Sequence, residues 1–305
     1  MVWNPFESDR ETCVSINGEL HPPEEATVSV FDRNFLYGDG VFDSMPIHDG
    51  DVILFDRHVD RLFRSAKGIQ LELTQTKAEL KSELMRTAAR SGVEYGALRV
   101  MISRGAGPPG IVNADRVPEP TVVIVPIPKP PEDVAYAHDT PSTGDARIVS
   151  TRAISPDSID SKIKSCNYLI NALAERELAG TDADFGIMLD HDGYVAEEFV
   201  SNVFVRDEDG AIRTPPPTHA LNGIPRQLLI EVGREEGYEI SETRLTPYDL
   251  YSATDVFLTA SARGISSVST INDQQIGDGE PSGAVIDLSR AALEHALEHA
   301  ATPIE

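Results

Sequence analysis

Short apolar runs and helical periods take turns along the whole chain. Residues 27–31 alternate and are rich in β-branched side chains, and 51–55 form an apolar run behind the turn Asp49-Gly50, so both read as strands. From 56 to 70, Arg61, Leu62, Ser65, Ala66 and Ile69 recur at helical spacing, and 76–90 repeat the pattern with Leu80, Leu84 and Ala88. Strands at 97–103 and 121–125, separated by the turn-rich loop 105–110, close the first half. The proline-rich stretch that starts at Pro126 cannot continue a central strand and reads as a linker. This predicts a smaller N-terminal domain over 1–126, a linker over 127–134 and a larger C-terminal domain over 135–305.

The second half opens with a strand at 146–150, followed by a helix over 166–179 in which Leu169, Ala172, Leu173 and Arg176 repeat at three and four and Gly180 is the stop. Residues 185–189, 194–196 and 202–205 predict a meander joined by Asp192-Gly193 and Asp209-Gly210 turns, and helices return at 227–236 and 288–300. Strands and helices mix in each half, which predicts an α+β class.

Composition narrows the function. Of 305 residues, 40% are hydrophobic, and no apolar run approaches the ~20 residues that span a bilayer. Fifty Asp and Glu against 26 Lys and Arg give a net charge of −24, a field that repels nucleic acid and anionic lipid. Neither is expected as a partner. Only six of the basic residues are lysines, and the acidic ones are spread along the chain, a surface that suits concentrated salt or a merely acidic protein. Cys13 and Cys166 are too few for a disulfide framework and too far apart for a metal knuckle, so free thiols and no metal are expected. The first ten residues show no basic leader before an apolar core, which points to the cytoplasm.

The segment Asp160-Ser-Lys-Ile-Lys-Ser-Cys-Asn-Tyr-Leu169 carries the most specific chemistry. A lysine at a helix start can be lowered in pKa by desolvation and the positive helix end, giving an amine able to form a Schiff base. Spacing alone leaves Lys162 and Lys164 as rivals.

With its companions, this segment resembles the class IV aminotransferases, fold-type IV pyridoxal-phosphate enzymes that include branched-chain aminotransferase, D-amino-acid aminotransferase and aminodeoxychorismate lyase. Arg33-Asn-Phe-Leu-Tyr-Gly-Asp-Gly-Val-Phe42 resembles the first signature, and His58-Val-Asp-Arg-Leu62 with Ser65-Ala66 the next. Lys164-Ser-Cys-Asn-Tyr-Leu169, Glu197 with Asn202-Val-Phe204, Thr214-Pro-Pro216, Leu221-Asn-Gly-Ile-Pro-Arg226 and Asp255-Val-Phe-Leu-Thr259 follow in family order. The resemblance covers nearly the whole chain and implies a two-domain α+β fold, pyridoxal 5'-phosphate as cofactor, and a homodimer or higher homo-oligomer.

Residue by residue, the resemblance makes Lys164 the catalytic lysine that holds the cofactor and then shuttles a proton. It sets Glu197 against the pyridine nitrogen, Tyr168 on the phenolic oxygen, and Arg61, Gly223, Ile224, Pro225 and Ser261 around the phosphate, with Asn202 among the cofactor contacts. Tyr37, Phe42, Arg99 and Ala262 fall at substrate positions, Tyr37 reaching a neighbouring subunit's pocket. Pro225 stands where the family usually has Thr and Ser261 where it has a phosphate-contacting Thr. Asp43-Ser-Met-Pro46 replaces the usual Glu-Gly-Ile-Arg of branched-chain enzymes, and Ala97 a frequent Tyr. The Asn167-Tyr168-Leu169 version of the lysine motif favours the branched-chain branch. The expected reaction passes the amino group of a branched-chain L-amino acid to 2-oxoglutarate by a ping-pong scheme, with Phe42 and Met45 as an apolar wall and Arg99 and Arg263 as candidate partners of the acceptor's second carboxylate. The alternatives are a D-amino-acid aminotransferase, an aminodeoxychorismate lyase and a non-catalytic pyridoxal-phosphate-binding protein.

Overall fold

A computed structural model describes residues 12–304. The chain forms two compact units, Met1–Ala137 with Ile163–Asn167 and Ala300–Glu305, and His138–Lys162 with Tyr168–His299. The lysine segment thus packs with the first unit, whereas the sequence pattern predicts everything beyond 134 in the second. The cause is backbone pairing: the Phe42 N–H donates to Lys164 O at 3.0 Å and the Cys166 N–H to Gly40 O at 2.9 Å.

The first unit is a seven-stranded sheet built from β1 (Val14–Ile16), β2 (Glu19–His21), β3 (Gly40–His48), β4 (Asp51–Ile53), β5 (Gly96–Ser103), β6 (Thr121–Pro128) and the C-terminal β16 (Ala301–Pro303), in the order β16-β4-β3-β5-β6-β1-β2. Helices α1 (Arg33–Tyr37), α2 (Phe55–Gly68) and α3 (Lys77–Ser91) belong to it. Helix α3 begins at a Thr76/Glu79 capping box and ends at Gly92 in the left-handed region. Val41, Met45 and Ile47 of β3 and Leu98, Val100 and Ile102 of β5 form one core with Val59 and Leu62 of α2 and Leu80 and Leu84 of α3. Strand alternation turns Phe42, Ser44 and Pro46 to the other face, paired with Met101, Arg99 and Ala97.

Several expectations need correction here. Residues 27–31 form no strand, and Val28, Val30 and Phe31 are exposed. The segment leads instead to Asp32, whose side chain caps α1 by accepting the Asn34 N–H. Strand β4 stops at Ile53 because Leu54 takes a left-handed conformation before α2. Pro126 and Pro128 do continue β6. Strand β1 is registered only with Val123 and Ile124, so the prolines pair with β5 beyond β1's reach, at an edge position.

The second unit is a nine-stranded sheet of β7 (Ser142–Arg152), β8 (Phe185–Leu189), β9 (Val195–Glu198), β10 (Asn202–Arg206), β11 (Ile212–Thr214), β12 (Ile240–Glu242), β13 (Asp255–Ala260), β14 (Gly264–Ile271) and β15 (Gln274–Gln275). Its order is β12-β11-β10-β13-β14-β7-β8-β9, with β15 paired to β14. Helices α4 (Leu169–Arg176), α5 (Ile224–Glu235), α6 (Pro247–Tyr251) and α7 (Gly283–His299) complete it. The helix expected over 166–179 starts only at Leu169, since Cys166 is engaged with Gly40. Helix α5 starts earlier than expected, with Pro225 in its first turn, where a missing N–H costs nothing.

Candidate active site

In the first unit the site is organised by one buried acid. Asp43 on β3 is fully buried and receives Arg61 Nε at 2.8 Å, Arg61 Nη2 at 2.7 Å and His58 Nδ1 at 2.8 Å. His58 and Arg61 lie three residues apart on α2 and so share one helix face. Burial alone would raise the Asp43 carboxyl, but the Arg61 charge and the hydrogen bonds from Arg61 and His58 hold it well below the usual carboxylate range. Burial lowers His58 and outweighs the opposing charge and hydrogen bond of Asp43, with the charges of Arg61 and Lys164 adding to the lowering, which favours the neutral ring. With Asp43 ionised, its Nδ1–H is the donor, which leaves Nε2 a buried acceptor without a partner among the described residues.

Lys164 is fixed at its backbone by Ser65 Oγ, which accepts its N–H at 3.1 Å, and by Phe42, whose N–H donates to its carbonyl. Its Nζ lies 4.4 Å from the centre of the Phe42 ring, and the Arg99 guanidinium lies 4.3 Å from the same ring. Lys164, Phe42 and Arg99 therefore come together. Arg61 is joined to them through β3, where Asp43 follows Phe42. Met45 does not join. Its alternation buries it completely in the α2–α3 core, so Phe42 stands without it on the Lys164 side. The Tyr37 hydroxyl accepts the Gly110 N–H at 2.7 Å, with the Arg33 guanidinium 5.0 Å from its ring, so the 105–116 loop holds it.

In the second unit Glu197 and Asn202 meet at the loop before α5, which leads into the Gly223-Ile224-Pro225 segment. Glu197 accepts the Leu221 N–H at 2.9 Å, and Asn202 Nδ2 donates to Leu221 O at 2.7 Å. Gly223 packs so tightly against Asn202 that a Cβ there would lie 2.1 Å from Asn202 Oδ1. The α5 N-terminus at Gly223-Ile224-Pro225 carries no side-chain cap. Ser261 and Ala262 occupy the turn between β13 and β14, and Tyr168 is the N-cap residue of α4. Arg263, a candidate for a substrate carboxylate, instead points at Glu198, with Nη2 at 3.3 Å. That pair lies outside the family motifs, and its partners are 65 residues apart, so only the fold reveals it.

The family model for amino-transferase class IV matches residues 40–271. A provisionally named branched-chain-amino-acid aminotransferase of Methanocaldococcus jannaschii is 33% identical over 274 residues, 87% of this chain and 91% of that protein. The aminodeoxychorismate lyase of Bacillus subtilis is 32% identical, covering 93% of this chain and 96% of its own. A branched-chain amino acid aminotransferase from the organism abbreviated T.th., solved with pyridoxamine 5'-phosphate, superposes with a TM-score of 0.87 at 26% identity over 97% of this chain and 99% of that one. This chain belongs to amino-transferase class IV, a class of pyridoxal-phosphate-dependent transaminases with the fold-type IV architecture.

The residues fit such a cofactor. Phosphate suits the uncapped start of α5, where helix N–H groups converge, although Pro225 contributes none. Thr259 Oγ1, two residues before Ser261, is buried with no hydrogen-bond partner among the described residues. Arg61 spends Nε and Nη2 on Asp43, leaving Nη1 for an oxyanion.

Proposed function

We propose that this chain transfers the amino group of a branched-chain L-amino acid to 2-oxoglutarate, with Lys164 as the catalytic amine. The observation that carries this reading is the β3–β5 face turned away from α2 and α3. Phe42, Pro46, Ala97 and Met101 make it apolar, and Arg99 and Lys164 stand over Phe42. A branched aliphatic side chain on such a face gains about 1.5–3 kcal/mol from burial, while Arg99 offers its planar fork to a carboxylate. The M. jannaschii relative and the branched-chain neighbours support the same reading.

The cofactor supplies a carbonyl that takes up the amino group and a ring that accepts electrons. The protein does the rest. Lys164 Nζ holds the cofactor and afterwards moves a proton at the substrate α-carbon. Glu197 keeps the pyridine nitrogen protonated, and the Leu221 N–H holds its carboxylate in place. By the motifs they share with the family, Tyr168 and Asn202 are assigned to the cofactor ring, and Arg61, Gly223, Ile224, Pro225 and Ser261 to its phosphate. Phe42, Arg99 and Ala262 receive the substrate. Two free cysteines fit a reducing cytoplasm.

We also read the protein as a homodimer. Val30, Phe31 and Phe35 at α1 and Ile111 and Val112 at the 105–116 loop are exposed together, joined by Arg33, which donates to Gly110 O and Ile111 O. Tyr37, bonded to Gly110, sits at this patch and suits a contribution to a second subunit.

A spectral titration tests the reading. L-leucine, L-isoleucine or L-valine should convert the cofactor band to the aminated form, with 2-oxoglutarate reversing it, and borohydride with peptide mapping should label Lys164. Conversion by D-alanine with no response to L-leucine overturns the substrate, and a label on Lys162 overturns the lysine.

A further inference from the structure

Glu197 and Glu198 are neighbours on β9 with opposite fates. Glu197 turns to Leu221, while Glu198 on the other face is fully buried. Besides its pairing with Ile187 of β8, Glu198 is held by the Val200 N–H at 3.0 Å, the backbone of Ser201, and Arg263 Nη2 at 3.3 Å from each carboxylate oxygen. The same nitrogen lies 3.5 Å from Ser201 Oγ, and the guanidinium lies 5.3 Å from the centre of the Phe185 ring. Arg263 itself leaves the turn between β13 and β14, immediately after Ser261 and Ala262. One guanidinium thus ties that turn to the stretch of chain running from Glu197 to Asn202.

We propose that Arg263 is a positioning residue, whose clasp on Glu198 and Ser201 sets the Ser261-Ala262 turn against the Glu197–Asn202 segment that contacts the cofactor. The inference rests on the roles given above to Glu197, Asn202, Ser261 and Ala262. The β13–β14 ladder pairs Ala260 with Gly264, and the Arg263 N–H donates to Ala260 O at 3.3 Å across the turn, while Ser261 and Ala262 lie beyond the ladder's last rung. Both belong to the turn and not to the ladder. Fixing such a turn before the ligand arrives strengthens binding by removing an ordering cost.

The test uses the full chain stripped of cofactor. Arg263→Ala alone leaves a buried carboxylate without its cation and risks unfolding. The deciding variant is therefore Glu198→Gln with Arg263→Ala, which removes the clasp and the buried charge together. Parent-like circular dichroism is expected, with amide exchange across 260–264 faster by about tenfold or more. Titrated pyridoxal phosphate should bind about tenfold more weakly, and Arg263→Lys, which keeps a cation at the site, should stay within about threefold of the parent. Parent exchange and parent affinity in the folded double variant overturn the proposal. So does faster exchange with unchanged affinity, or an Arg263→Lys protein as weak as the double variant. The exchange arm needs neither cofactor nor donor. A wrong substrate would show in the donor titration alone, and a wrong clasp shows here.

Discussion

A buried carboxylate faces an arginine in each unit, Asp43 with Arg61 in the first and Glu198 with Arg263 in the second, and these two pairs behave oppositely. Asp43 holds two Arg61 nitrogens and His58 within 2.8 Å, and these partners overcome burial and lower its pKa. Glu198 has one Arg263 nitrogen at 3.3 Å from each oxygen, and there burial prevails and raises the carboxyl. The desolvation of a buried charge is repaid only by close, multiple partners. Asp43 meets that condition and so orients Arg61 as a fixed cation. Glu198 meets it in part, which suits a clasp rather than a reservoir of charge.

The largest break in this comparison comes from Asp43→Ala. It strands Arg61 and His58 in the core and should lower stability by about 3–5 kcal/mol, read as a urea midpoint. A loss under ~1 kcal/mol would mean that Arg61 finds water or another acceptor, and the contrast with Glu198 would collapse. Next comes Glu197→Gln, which separates the two neighbouring glutamates. It should keep fold and cofactor while lowering kcat roughly 10²-fold, about 2.7 kcal/mol in the barrier. Parent turnover with bound cofactor would remove Glu197 from the pyridine. Third is Gly223→Ala. Its Cβ would sit 2.1 Å from Asn202 Oδ1, so Asn202 must give way, at about 1–3 kcal/mol in stability. An unchanged midpoint would show that this loop yields freely.

How much of this is legible in the sequence follows the same division. Lys164, Arg61 and Glu197 sit in dense local motifs, and α2 and α3 announce themselves by period and, for α3, by the Thr76/Glu79 cap. Strand β3 is hidden, since Asp43 lies among its core-facing residues and Pro46 interrupts the run, which disguises the alternation. Met45 reads as a pocket wall because identity without register cannot say which face a residue uses. The helix start expected at 166 is displaced for a related reason, a backbone bond from Cys166 to Gly40, far earlier in the chain. The Glu198–Arg263 pair depends on strands distant in sequence meeting, and no local pattern encodes that.

The smallest expected effect is also the most direct reading of the contrast, because it asks only about protons. Burial raises the Glu198 carboxyl in the folded chain, with Arg263, Ser201 and the Val200 N–H opposing it. The native state therefore keeps this proton to a higher pH than the unfolded chain does, whose carboxyl titrates near ~4.3. Across that window the native state binds more protons, so stability falls as pH rises through it and stays lower above it. Asp43 runs the other way: its folded carboxyl is depressed, so its contribution is present above the unfolded range near ~3.9 and is lost as pH falls. Glu198→Gln removes one of these slopes and leaves the other. Urea midpoints at about pH 4 and about pH 8 should show the parent losing ground to the variant at the higher pH, by no more than about 1 kcal/mol. If the parent gains instead, Arg263 outweighs burial at Glu198, and the two acid–arginine pairs are alike after all.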